Sequence, residues 1–156
     1  RMQQGARLLI GEHDFTSFAA AAGDSEEVRS QESGVGSENS EFRIQNSGSP
    51  KQNMVRAIYV SRLIARPRTS LLIYEVKGSG FLHHMVRNIV GCLVYVGKGK
   101  YPAERLAEVL ASRDRRLAAP TFPPDGLYLE AVEYAPGWKL PAFESNRVVF
   151  PELTLA

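Results

Sequence analysis

The 156-residue sequence holds one cysteine, Cys92, and that scarcity excludes a disulfide framework. It fits a reducing cytoplasm instead. No run of about 18 apolar residues occurs, so no membrane-spanning helix is expected. No cationic stretch followed by an apolar one opens the chain, so no secretory signal is expected. No glycine-rich loop can cradle a phosphate. Gly97-Lys98-Gly99-Lys100 lacks the length and context of a nucleotide-binding loop and reads as a helix stop with two solvated lysines that can touch phosphate. His83 and His84 have no second cluster of Cys, His or carboxylates at ligand spacing, so no metal is expected. Contacts from these two histidines to a neighbouring loop or to RNA phosphate fit better. Excess charge is also small, at +2, but it is uneven. Residues 23–53 carry six acids and three bases, leaving sixteen bases to eleven acids elsewhere. That mild basic bias is compatible with a polyanionic partner and does not identify one.

What is present centres on the stretch Gly80-Phe81-Leu82-His83-His84-Met85-Val86-Arg87-Asn88-Ile89-Val90-Gly91. Apolar residues recur at steps of three and four from Phe81 to Val94, which predicts a largely buried helix over 81–96. His83, His84, Arg87 and Asn88 share a polar stripe on it. An arginine in that setting needs a carboxylate or a phosphate, because burying it unpaired costs about several kcal/mol. The helix therefore reads as a rigid mount for a charged site.

The remaining segments give an order of helix, strand, strand, helix, helix, strand. Residues 2–10 predict a helix stopped by Gly11, and 12–18 a loop leading into an Ala-rich turn at 19–22. Residues 23–53, dominated by Gly, Ser, Glu, Asn and Gln, cannot bury enough surface to order themselves and read as an insertion. Residues 55–65 and 70–76 predict strands joined by a hairpin at 66–69. Pro102 opens a second helix over 103–112 with Leu106, Ala107, Val109 and Leu110 inward. Arg113-Asp114-Arg115-Arg116 ends it, either as cations suited to the helix dipole or as an RNA backbone contact. Residues 121–126 form a Pro-rich loop and 127–134 a strand, and 135–156 read as an extended tail. The expected class is α+β: an antiparallel sheet with helices on one face. Asp14 can cap the turn after it, and Asp125-Gly126 is a common turn pair. Neither has a partner that would make it catalytic. The chain opens on Arg1-Met2, so a processed chain and a fragment of a longer reading frame both fit.

Three blocks then carry a resemblance: Gly11-Glu12-His13-Asp14-Phe15-Thr16-Ser17-Phe18, the Gly80–Gly91 stretch, and Gly126-Leu127-Tyr128-Leu129 followed by Val132 and Tyr134. Asp114-Arg115 and Ala118-Ala119-Pro120-Thr121 fit between the last two. In this order the blocks resemble the C-terminal half of the bacterial tRNA pseudouridine synthase A (TruA) family, residues 1–134 standing for its C-terminal subdomain. The insertion at 23–53 departs from the family's shorter link. The resemblance implies isomerisation of uridine to pseudouridine in the tRNA anticodon stem-loop, at positions 38, 39 and 40, by a cytoplasmic homodimer with no cofactor. It implies that Arg87 pairs with the catalytic aspartate and that Leu127 packs in the uracil pocket. His83, His84, Asn88 and Arg115 are read beside them as substrate-binding. The family's catalytic aspartate lies in an R-T-D-x-G-V-H block of the other half, and no Arg-Thr-Asp triplet occurs here. The isolated chain is therefore expected to be inactive. An RNA-binding remnant and a dimerisation module are the alternatives.

Overall fold

The computed structural model describes residues 1–20, 53–66, 69–134 and Gly137. The insertion expected at 23–53 and the tail expected at 135–156 lie outside these residues, apart from Asn53 and Gly137. The chain forms two units, Arg1–Phe122 and Pro123–Ala156.

In the first unit, helix α1 (Met2–Arg7) leads into strand β1 (Gly11–Asp14) and a 3₁₀ turn (Thr16–Phe18). Strands β2 (Val55–Ala65) and β3 (Leu72–Gly78) follow, then helices α2 (Met85–Gly97) and α3 (Arg105–Ser112) and a 3₁₀ turn (Arg115–Leu117). The three strands form one antiparallel sheet in the order β1-β2-β3. This is the α+β architecture that the sequence pattern predicts. The β-branched and aromatic residues of β2 and β3 suit a pleated, half-buried surface. Tyr59 is an extra residue in β2, a bulge between the pairs Ile58–Gly78 and Val60–Lys77. Beside it the chains run so close that a Cβ at Gly78 would stand 2.7 Å from the Ala57 carbonyl oxygen.

The core lies between the sheet and the helices. Ala6 and Leu9, Phe15 and Phe18, Ile58, and the inward residues of α2 and α3 are all buried. One polar tie crosses it and another lies within the sheet. The buried Ser17 hydroxyl donates to the Val109 carbonyl at 2.5 Å. On the sheet, Ser61 Oγ and Tyr74 OH are 2.8 Å apart, and burial pushes the Tyr74 hydroxyl up to about 12.

Four expectations need correction. Gly11–Asp14 is a strand and not part of a loop. Its residues have little β preference, and their pairing with Val55–Ile58 makes the strand. Helix α2 begins at Met85 and not at Phe81. His84 takes a left-handed conformation, φ 60°, and the His83 carbonyl accepts from the Ala20 N–H at 2.9 Å. Ala107 is exposed, because only Leu106, Val109 and Leu110 of α3 face inward. Residues 127–134 form no strand: no ladder partner stands beside them among the described residues, and their large apolar side chains are exposed.

Asp14 caps the turn after β1, as its position suggests. Its Oδ1 accepts from the Thr16 hydroxyl at 2.6 Å and the Thr16 N–H at 3.0 Å, and Arg113 Nε lies 3.1 Å from Oδ2. The Thr16 hydroxyl bond, aided by the Thr16 N–H and the Arg113 charge, outweighs desolvation and holds the carboxyl below its ordinary value of 3.8. A depressed folded value adds stability above 3.8 that is lost as pH falls through the folded value. Thermal melts of Asp14→Asn should therefore depend less on pH in that acid window than wild-type melts. Parallel curves would exclude this coupling.

Candidate functional site

The charged site is built along one side of α2, where the segment 118–122 lies against it as a strap. The strap touches α2 at residues 87, 88, 91 and 92, which share a side because they are one helical turn apart in pairs. Arg87 and Phe122 hold each other twice. Arg87 Nε donates to the Phe122 carbonyl at 2.7 Å, and the Phe122 N–H donates to the Arg87 carbonyl at 3.2 Å. One turn on, Gly91 has no room for a side chain, since a Cβ there would run into the Pro120 carbonyl. Next to it, the Ala119 N–H donates to Cys92 Sγ at 3.2 Å. Burial pushes the Cys92 thiol up, which keeps it neutral.

Asn88 is the centre of the arrangement and is wholly buried. Its Nδ2 donates to the Phe18 carbonyl at 2.8 Å and the Ala19 carbonyl at 3.3 Å. Its Oδ1 accepts from Arg115 Nη2 at 2.9 Å and from the Thr121 hydroxyl at 2.7 Å. Arg115 also gives Nη1 to the Ala119 carbonyl at 3.1 Å and Nη2 to Thr121 Oγ1 at 2.9 Å. The network thus joins the turn after β1, helix α2, the Arg115 turn and the strap.

The structure brings Arg87, Asn88 and Arg115 together. The sequence reading placed Asn88 among substrate-binding residues, but its side chain lies entirely inside. A signal for this existed: Asn88 falls in helical register with the buried Met85 and Cys92. His83 and His84 stack at 3.9 Å and an interplanar angle of 29°, one turn before Arg87. Leu127 belongs to the second unit, where it is half exposed and its N–H donates to the Pro124 carbonyl at 2.9 Å. Thr121 and Phe122, which the site reading did not single out for contact with Arg87 or Arg115, prove to be their partners.

The electrostatics separate two kinds of arginine. Arg113 and Arg116 pair with Asp14 and Asp114, and Arg62 and Arg105 pair with Glu75 and Glu108. Among the described residues, Arg56, Arg87 and Arg115 meet neutral acceptors only; Arg56 bonds carbonyls beside it in sequence, and Arg87 and Arg115 bond α2 and the strap. Nη1 and Nη2 of Arg87 make no hydrogen bond there, so its fork is available to a carboxylate or phosphate. Removing the hub should be costly. Asn88→Ala strands buried donors and acceptors on four segments, and we expect a loss of about 2 kcal/mol or more in denaturant unfolding. A loss below about 0.5 kcal/mol would show that the network adds little.

The chain is similar to known proteins over most of its length. The family model described as tRNA pseudouridine synthase matches residues 34–135. A tRNA pseudouridine synthase A from Nitrosomonas europaea is 42% identical over 147 residues, 94% of this chain and 44% of that protein. The protein of the same name from Cupriavidus pinatubonensis is 44% identical over 149 residues, 96% of this chain and 44% of its own length. That from Aromatoleum aromaticum is 43% identical over 153 residues, 97% and 47% respectively. The chain spans less than half the length of these relatives. It belongs to the tRNA pseudouridine synthase family.

Proposed function

We propose that the chain forms one wall of the active site of a tRNA pseudouridine synthase and that Arg87 is its main contribution to the chemistry. The observation that carries this reading is a half-buried guanidinium, anchored through Nε, whose Nη pair meets no carboxylate among the described residues. An aspartate supplied from outside the chain, as the family resemblance implies, would complete the pair. Arg87 would keep that aspartate ionised and oriented. The reaction breaks the bond from the ribose C1′ to N1 of uracil and makes one from C1′ to C5. N1 gains a proton and C5 loses one. Nothing is oxidised or reduced, so no cofactor is needed.

Other parts of the chain fit the same substrate. A nucleotide must leave its stack to be reached, which calls for a pocket within a basic surface. The half-exposed side chain of Leu127 offers an apolar contact for a flat base. His83 and His84 precede α2, and this reading gives them contacts with the backbone of an anticodon arm. The resemblance extends the reading to a cytoplasmic homodimer, and no described helix is long and apolar enough to cross a membrane.

Pseudouridine formation on tRNA tests the reading. Arg87→Ala, in an active enzyme containing this chain, should abolish turnover and leave much of the tRNA affinity. Arg87→Lys should also be impaired, because lysine lacks the planar fork. Unchanged turnover in Arg87→Ala would refute the role. The chain by itself should form no pseudouridine; substantial turnover would refute the view that its aspartate comes from elsewhere. Salt-dependent tRNA binding without activity in the whole enzyme would favour an RNA-binding module.

A further inference from the structure

The strap raises a question about the arginine that the sequence reading gave to RNA. Arg115 spends Nη1 and Nη2 on the Ala119 carbonyl, Asn88 Oδ1 and Thr121 Oγ1. All three acceptors lie on the strap or on α2 and are neutral. The Thr121 hydroxyl donates onward to Asn88 Oδ1. The next residue, Phe122, holds both the main chain and the side chain of Arg87. A short bonded path therefore runs from Arg115 through Thr121 to the Phe122 carbonyl and ends on Arg87 Nε.

We infer that Arg115 and Thr121 are positioning residues for Arg87, acting through the strap. A free arginine side chain samples many rotamers, and ordering it at the moment of reaction costs entropy. Binding Nε to a fixed carbonyl removes most of that freedom beforehand. Because the guanidinium is planar, fixing Nε also restricts the plane in which Nη1 and Nη2 lie. The carbonyl is useful only if the strap is itself fixed. Thr121 and Arg115 fix it laterally against Asn88, and Gly91 lets it lie close to α2. A small displacement of a reacting group costs far more in rate than in binding.

This inference rests on the proposed role of Arg87, and the variants are chosen to separate the two. Thr121→Val removes the hydroxyl and nearly keeps the volume. In an active enzyme containing this chain, kcat for pseudouridine formation should fall about ten- to a hundredfold. KM for tRNA should stay within about twofold, because the strap positions and does not bind. Thr121→Ser keeps the hydroxyl and should restore most of kcat. A second arm uses Arg87→Lys, which has no Nε to give Phe122. Thr121→Val added to Arg87→Lys should cause little further loss, since the connection it disturbs is already broken.

A raised KM with unchanged kcat would overturn the inference in favour of direct RNA contact. A lowered melting temperature with normal kcat per folded enzyme would overturn it in favour of a purely structural strap. Multiplying losses in the double variant would show that Thr121 acts independently of Arg87. If Arg87→Ala is inactive while Thr121→Val is unaffected, the inference alone fails. If Arg87→Ala turns over normally, the proposed function fails first.

Discussion

The Asn88 side chain is wholly buried, and a buried amide must find partners for both of its ends. Here the two ends look in different directions. The nitrogen faces the turn that leaves β1, and the oxygen faces Thr121 and Arg115. Segments far apart in the chain meet at one group because each supplies what the amide lacks. The depth at which α2 sits and the line the strap takes across it follow from that requirement. The Gly91 contact and the Cys92 bond continue the same line one turn further along.

Arginine serves two purposes in this chain, and its partners tell them apart. The exposed pairs, such as Arg62 with Glu75, are screened by water and contribute little to stability. Arg116 closes a local turn against Asp114, and Arg113 ties the end of α3 to the turn after β1 through Asp14. Among the described residues, Arg87 and Arg115 instead lie against carbonyl, amide and hydroxyl oxygens, which bond the donors without supplying a countercharge. Two such cations on one network create a local demand for an anion. In the proposed reading, a catalytic carboxylate beside Arg87 meets it.

Much of the scaffold was legible because its signals are local. The apolar steps of α2 and the β-rich runs of β2 and β3 depend on their own residues. What escaped depends on partners. Glu12 and His13 carry no strand signal, and they pair with residues more than forty positions later. The start of α2 is set by the Ala20 contact and by His84, neither visible as a break in the apolar period. Residues 127–134 alternate like a strand, yet a strand exists only when a second one bonds to it. Within the site, a charge set among apolar neighbours made Arg87 stand out. Arg115 did not, since four polar residues after a helix look like a solvated end. The left-handed turn at Arg113, φ 52°, precedes its change of direction and cannot be read from composition.

The Ala119–Cys92 bond gives the strap a chemical reporter. Cys92 is the chain's only cysteine, and it is 1% exposed beneath the segment it holds. A thiol reagent can reach it only during excursions that uncover it, and lifting the strap, which breaks the Ala119 bond, is one of these. At a pH where the freed thiol reacts quickly, the slow alkylation rate counts how often that happens. The order of the arginine's support can thus be followed in time by the modification of a group with no part in the reaction.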